Sequence, residues 1–200
     1  MNATLNYYAE NAQDFFDSTF DKRMEEVYQK FLPYLPENAH LLDAGCGSGR
    51  DSRHFLSLGF SVDAFDASTE MAALASDYIG QLVKCHTFDE VQLRPSYDGI
   101  WASASLLHLP YSQLPKTFER LSQALKDGGI FYASFKHGEK EYIKAGRHFT
   151  PLNEERVQAL FEKLDRLQLQ TVWLTPDVRE ERKGEMWLNL LAKKRTDDNG

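Results

Sequence analysis

The stretch LLDAGCGSGRDS, Leu41 to Ser52, places Gly45, Gly47 and Gly49 within five positions, directly after an apolar run. Glycines so spaced allow unusual turns and let a backbone come close to a ligand. Phosphates, dinucleotides and nucleosides all use loops of this general kind. The surroundings of the loop therefore have to say which ligand it serves.

Upstream, KRMEEVYQKFL puts Met24, Val27, Tyr28 and Phe31 on one helical face, and Pro33 follows its end. HLLDA then reads as a short buried strand leading into the glycines. Downstream, RDSRHFLSLG reads as a helix stopped by Gly59, and SVDAFD as a second strand. STEMAALASDYIG is a helix with Ser68 as its cap, Glu70 in its positive first turn and Gly80 at its exit.

The rhythm continues with QLVKCHTF and YDGIWASAS as strands three and four. SQLPKTFERLSQALKDGG forms a helix, with Leu114, Phe118, Leu121 and Leu125 in register and Gly128 and Gly129 at its end. IFYASF is strand five, and NEERVQALFEKL is a helix with Val157, Leu160, Phe161 and Leu164 inward. LQTVWLT and EMWLNLLA follow as strands with no helix between them. Alternating strands and helices predict an α/β, doubly wound, mostly parallel sheet, and the closing pair predicts one antiparallel last strand.

In such a sheet the first strand-to-helix loop lies where ligands bind, beyond the carboxyl ends of the strands. A P-loop would read GxxxxGK[ST], and no lysine with serine or threonine stands where it is needed. A dinucleotide loop would read GxGxxG, whereas here Gly49 comes one residue early and Arg50 follows it. A second anchor is Asp66, 21 residues after Gly45 at the end of strand two, where a carboxylate can accept from both hydroxyls of a ribose. Asp63 competes for that role but sits inside the strand. The loop thus reads as the site of a nucleoside without a pyrophosphate.

LLDAGCGSG, then VDAFDASTEM, then YDGIWASASLLHL, together resemble the class I S-adenosylmethionine-dependent methyltransferases, of the small-molecule, type 11/12-like group that includes the tellurite-resistance enzymes. The resemblance covers Leu41 to Phe135 and implies a seven-stranded Rossmann-like sheet, S-adenosylmethionine as cofactor and methyl transfer to a small molecule. It further implies that Asp43 and the loop from Gly45 through Cys46 and Gly47 to Gly49 lie against the methionine part. Asp66 would bind the ribose, Ala67, Ser68 and Met71 would lie beside the adenine, and Ala104 and Ser105 would line the inner side of the cofactor. Many relatives carry an acid after strand three to meet the adenine amino group. Here that region reads CHTFDEV, and Thr87, Phe88 or Asp89 could stand in its place.

Other residues have two readings. Cys46 is a nucleophile or a small space-filler, and no histidine is obviously paired with it. Arg50 meets the cofactor carboxylate or solvates a helix start, where a cation opposes the macrodipole. His108, just after strand four, is a general base for an oxygen or nitrogen nucleophile, or a histidine bonded to nearby backbone. A thiolate or chalcogenide acceptor would need no base. Tyr7 and Tyr8 either touch the ligands from an N-terminal lid or close the core as an aromatic pair.

The polar insertion SFKHGEKEYIKAGRHFT after strand five carries Lys136, His137, Arg147 and His148, and the last hairpin adds Arg179 and Arg182. Insertions of that length are often functional. With Arg147 as its main contact, this basic set would receive an anionic acceptor. Alternatively it is solvated charge offset by Glu139, Glu141, Glu180 and Glu181.

At 200 residues the chain is expected to form a single methyltransferase domain, with 1–36 as a helical lid, 37–193 as the catalytic core and 194–200 as a frayed tail. A net charge of −7, from 23 basic and 30 acidic residues, argues against a broad basic nucleic-acid surface and makes an RNA-modifying enzyme the weaker alternative. A non-catalytic S-adenosylmethionine-binding module is the other. The N-terminus lacks the basic and apolar regions of a signal peptide, and no run is long enough to span a membrane. Cys46 and Cys85 make neither a disulfide framework nor a metal-ligand spacing, and the expected location is the cytoplasm. The oligomeric state is not legible.

Overall fold

The computed structural model describes residues 3–91, 94–179, 182 and 184–196, so Glu180, Glu181 and residues 197–200 of the expected tail lie outside it. The chain opens with three helices, α1 (Ala3–Glu10), α2 (Ala12–Thr19) and α3 (Glu25–Phe31). The alternating core follows as β1 (His40–Ala44), α4 (Arg50–Ser57), β2 (Ser61–Asp66), α5 (Thr69–Ile79), β3 (Lys84–Cys85), β4 (Tyr97–Ala102), α6 (Leu114–Ala124) and β5 (Leu125–Lys136). A small hairpin, β6 (Tyr142–Lys144) and β7 (Arg147–Phe149), precedes α7 (Glu154–Phe161), β8 (Leu167–Pro176) and β9 (Met186–Lys194).

Seven strands form one sheet in the order β3-β2-β1-β4-β5-β9-β8. β1, β2, β3, β4 and β5 pair in parallel, and β9 runs antiparallel between β5 and β8. The last strand of the chain is therefore the antiparallel one, but it lies inside the sheet and β8 forms the edge. Strand order reverses between β1 and β4, which makes the loops after these two strands the expected ligand crevice.

Alternation along the strands feeds both faces. Leu41, Val62, Trp101 and Tyr132 pack with Val27, Tyr28, Phe31 and Phe55 of α3 and α4 on one side. Leu42, Ile100 and Phe131 pack with Phe118, Leu121, Val157 and Leu160 of α6 and α7 on the other. Burying a side chain of this size contributes roughly 1.5–3 kcal/mol. The Ser68 cap forms, with its hydroxyl accepting from the Met71 N–H, and Gly80 exits α5 in the left-handed region at φ 74°.

Several expectations change. The sixth helix stops at Ala124, not at Gly128, because Leu125 already turns extended and pairs with Tyr97. Gly128, at φ 74°, absorbs the irregularity before regular pairing resumes. Strand three shrinks to two residues, both exposed at the sheet edge. Within the 1–36 segment expected to form a lid, α3 is part of the core, through Val27, Tyr28 and Phe31. Lys194, assigned to the tail, is buried in β9 and donates from Nζ to the Leu125 carbonyl at 2.7 Å. Among the described residues, no helix is long and apolar enough to cross a membrane.

Candidate functional site

A cavity of about 510 Å³ opens at the carboxyl edge of the sheet, walled by the loops after β1, β2 and β4, by α1 and α2, by β7 and by the β8–β9 turn. Its floor is the glycine loop. Gly45, Gly47 and Gly49 take φ of 78°, 55° and 76°, a region that side chains disfavour. A Cβ on Gly45 would come within 2.5 Å of the Ser105 Cβ, so this glycine allows the first and fourth strand loops to close on each other. Gly49 caps α4 behind the loop, where a Cβ would meet Ile79 at 2.9 Å, and it does not line the cavity.

Asp66 ties the loop to β2. One carboxylate oxygen accepts from the Gly47 N–H and the other from the Ser68 N–H, each at 2.9 Å. Burial raises the Asp66 pKa, while those two N–H groups pull it down. Each oxygen keeps lone-pair capacity toward the cavity, which suits a pair of adjacent hydroxyls. Ala67 and Met71 line the same end, with Phe88, whose ring packs edge-on against Phe65 at 5.6 Å. Ser68 is turned away from the cavity, its hydroxyl holding Met71 N–H and donating to Glu70. Thr87 also lines the cavity, but its hydroxyl donates to Glu90, and Asp89 is not in the wall.

The opposite end of the floor is a buried charge network. Arg50 forms a two-point pair with Asp51, at 2.7 and 2.9 Å. Asp51 also accepts from Tyr28 Oη at 2.5 Å and Trp101 Nε1 at 2.7 Å. Burial opposes its charge, yet Arg50 and these donors hold Asp51 below the usual carboxylate range. Asp43 accepts from Ser52 Oγ at 2.6 Å, and burial followed by the Asp51 charge pushes its pKa up to about 8. Cys46 lines the cavity with a thiol pushed up by burial, which argues against a nucleophile and fits a small residue in a crowded loop.

After β4 the backbone is strained. Ala104 sits at φ 51° and donates its N–H to Ser134 Oγ at 2.8 Å, while Ser105 Oγ donates to the Ala44 carbonyl at 2.6 Å. Non-glycine residues persist there only when their surroundings over-determine them, and such positions cluster at functional sites. Both residues line the cavity.

His108 follows. Its Nδ1 lies 2.7 Å from the His148 carbonyl, so this nitrogen carries the proton, and Nε2 accepts from Tyr8 Oη at 2.9 Å. Burial, then the charges of Arg147 and His148, lower its pKa to about 4, so the ring is neutral at physiological pH. Arg147 is buried beside it, with its guanidinium 3.9 Å from the Tyr7 ring centroid and 5.2 Å from that of Phe149. Its Nε has no hydrogen-bond partner, and among the described residues no carboxylate lies within 4.0 Å of its guanidinium.

The other expected cations are engaged. Lys136 Nζ pairs with Asp177 at 3.0 Å and with Glu185, and Arg179 forms a two-point pair with Asp177 at 2.9 and 2.8 Å. Trp187 Nε1 adds a fifth donor group to Asp177 at 2.9 Å, alongside the Arg179 N–H. These donors, Arg179 first, outweigh burial and hold Asp177 well below the usual range. Lys136 and Arg179 thus clamp the β8–β9 turn onto β5 and are not free for an anion. His137 faces Glu154 at 3.5 Å, and His148 Nε2 reaches Thr150 and Glu141 at 3.0 and 3.2 Å.

Sequence reasoning passed over Phe15 and Thr19 of α2 and Thr175 and Asn189 of the last strands, all in the cavity wall. None carries a local signal, because each arrives from a distant part of the chain.

A family model described as a methyltransferase domain matches residues 15–165, three quarters of the chain and the whole span of the glycine loop, Asp66 and the strand-four loop. The chain belongs to that family. The cofactor that goes with this family and fold is S-adenosylmethionine. The residues fit it: a tight glycine cradle, a carboxylate with spare acceptors at the second strand, and no lysine for a triphosphate. The chain is 28% identical over 116 residues to the malonyl-[acyl-carrier protein] O-methyltransferase of Erwinia pyrifoliae, a match covering 55% of this chain and 43% of that protein. It thus spans less than half the length of that curated relative.

Among solved structures it is similar to the 1,6-didemethyltoxoflavin-N1-methyltransferase of Burkholderia thailandensis with bound 1,6-didemethyltoxoflavin and S-adenosylhomocysteine. That likeness has a TM-score of 0.81 and 22% identity, covering 97% of this chain and 88% of the other. It is also similar to the magnesium protoporphyrin IX methyltransferase of Synechocystis with bound S-adenosylmethionine, with a TM-score of 0.74 and 13% identity over 98% of each chain. At such identities the likeness is one of fold.

Proposed function

We propose that the protein transfers the methyl group of S-adenosylmethionine to a small-molecule acceptor that carries a negative charge, met by Arg147. The observation that carries this reading is a buried guanidinium with no carboxylate beside it, in the wall of the cavity whose floor is the glycine loop. An unpaired buried charge is costly, and an anionic acceptor would supply the missing partner. The planar fork of arginine suits a carboxylate or similar oxyanion.

S-adenosylmethionine supplies a methyl group already activated on a sulfonium sulfur. The chain's own residues have mainly to bind, orient and exclude water, and positioning of this kind contributes on the order of 7–11 kcal/mol. Asp66 would take the ribose diol, and the loop backbone from Gly45 to Gly47 would support the methionine part. Asp43, protonated in part at neutral pH, would ionise beside a cationic group. Ala104 and Ser105 would hold the reacting face. α1 and α2 would cover the cavity, and Tyr7 would keep Arg147 stacked and aimed.

The test is incubation with methyl-labelled S-adenosylmethionine and a deproteinised metabolite extract, followed by identification of the labelled product. An anionic product whose formation depends on Arg147 supports the reading. A neutral acceptor would overturn the anionic part, and tight cofactor binding with no label transfer would favour a non-catalytic binding module.

A further inference from the structure

His108 lines the cavity, but both of its ring nitrogens are already engaged. Its Nδ1–H is spent on the His148 carbonyl and its Nε2 lone pair on the Tyr8 hydroxyl, at 2.7 and 2.9 Å. Tyr8 lines the cavity together with Arg147, Ser105 and Asp66. It is held by the packing of α1 on β7, where Thr4 Oγ1 accepts the His148 N–H at 3.1 Å. The phenol oxygen has one proton, which points at His108; the Arg147 guanidinium also hydrogen-bonds to this oxygen, which leaves one lone pair for a partner on the cavity side.

We propose that Tyr8 is the residue that meets the nucleophile of the acceptor and relays its proton to His108, so that the acceptor reacts through an O–H or N–H group rather than through a thiolate or carboxylate. The inference rests on the methyl-transfer reading above. In the step, the O–H or N–H bond of the acceptor breaks and its electron pair forms the new bond to the methyl carbon. The released proton bonds to the Tyr8 oxygen while the original Tyr8 proton passes to His108 Nε2. The bond between methyl and sulfur breaks with its pair staying on sulfur as a thioether.

The charges around His108 fit such a step only with an anion bound. Tyr8 and, behind it, Tyr7 face the ring from α1; Arg147 and His148 face it from β7, with Glu141 beyond His148. Arg147 opposes a proton on His108, and a negative group on Arg147 cancels that opposition. The same anion that anchors the acceptor therefore makes His108 a better base. Before binding, the neutral imidazole and the protonated phenol are both in the form the relay needs across the physiological range.

The probe is methyl-labelled S-adenosylmethionine with a deproteinised metabolite extract. Tyr8→Phe, which keeps the ring and its packing, and His108→Asn should each slow label transfer by about 100-fold. The double variant should be about as slow as the slower single one, as expected for two residues acting as a unit. S-adenosylhomocysteine affinity by calorimetry should stay within about twofold, a change of under about 0.5 kcal/mol. Between about pH 6 and pH 9 the wild-type rate should be flat, while that of Tyr8→Phe should climb as the acceptor loses its own proton. Tyr8→Phe transfer within roughly threefold of wild type, or single losses that multiply in the double variant, would overturn the relay. Absence of label transfer by the wild type would instead overturn the methyl-transfer reading, and the relay with it.

Discussion

The two halves of the cavity are built differently. The side floored by the glycine loop is a short-range construction in which the loop is fixed by its own glycines and by the Gly47 N–H donating to the Asp66 carboxylate 19 residues on. The opposite side, where we propose that the acceptor binds, is assembled from α1, the strand-four loop, β7 and the β8–β9 turn, and Tyr8 and His108 meet across 100 residues of chain. Charges also behave differently. Asp51 and Asp177 each gather several donors and are internally balanced, whereas Arg147 is left without a counter-ion among the described residues. The balanced networks of Asp51 and Asp177 hold the two walls in place, and Arg147 between them is the charge for which we propose an outside partner.

If that contrast is right, the most damaging substitution is in the balanced network. Asp51→Ala would strand Arg50 and remove the partner of Tyr28 and Trp101. Breaking a buried pair from one side costs about 3–5 kcal/mol, a loss visible as a fall in Tm of roughly 2–4 °C for each kcal/mol. A melting curve unchanged from wild type would show that the network is not a structural element.

Asp43 gives a pH-dependent version of the same test. Its pKa is raised from 3.8 to about 8, so between those values the folded chain holds a proton that the unfolded chain has released. Stability therefore falls as pH rises through this window, by up to about 1.4 kcal/mol per unit, and levels off above the folded value. Asp43→Asn should remove that slope in denaturant titrations at several pH values. A slope that persists in Asp43→Asn would assign it to another group.

On the cofactor side, Asp66→Ala should weaken S-adenosylmethionine binding by roughly 10- to 100-fold, corresponding to charge-assisted bonds of about 1.5–3 kcal/mol. Calorimetry on a folded Asp66→Ala protein is the check, and wild-type affinity there would reject the site. The smallest expected effect is on the acceptor side. Arg147→Lys should raise KM for the labelled acceptor by about tenfold, since lysine lacks the planar fork, while cofactor affinity is unchanged. An effect on cofactor affinity of equal size would mean that the two halves are not independent.

The sequence by itself determined the local build of the glycine-loop half of the cavity. Three glycines after an apolar strand, an acid at the end of the next strand and a serine cap are local signals whose physics acts over a few residues. The alternating elements likewise determined the sheet, because each strand and helix carries its own period. The errors fell at boundaries: where Ala124 gives way to a strand, where the third strand is cut to two residues, and where α3 joins the core. Neighbours in space decide such limits, through pairing with β4, an open edge and burial against Trp101. Only the tertiary structure separated Arg147 from Lys136 and Arg179. All three stand in polar stretches of the sequence; Arg179 has Asp177 two residues away, but nothing near Lys136 or Arg147 says which of them will find a carboxylate. That outcome depends on where Asp177 lands when the last hairpin folds back on β5, a long-range event with no local trace.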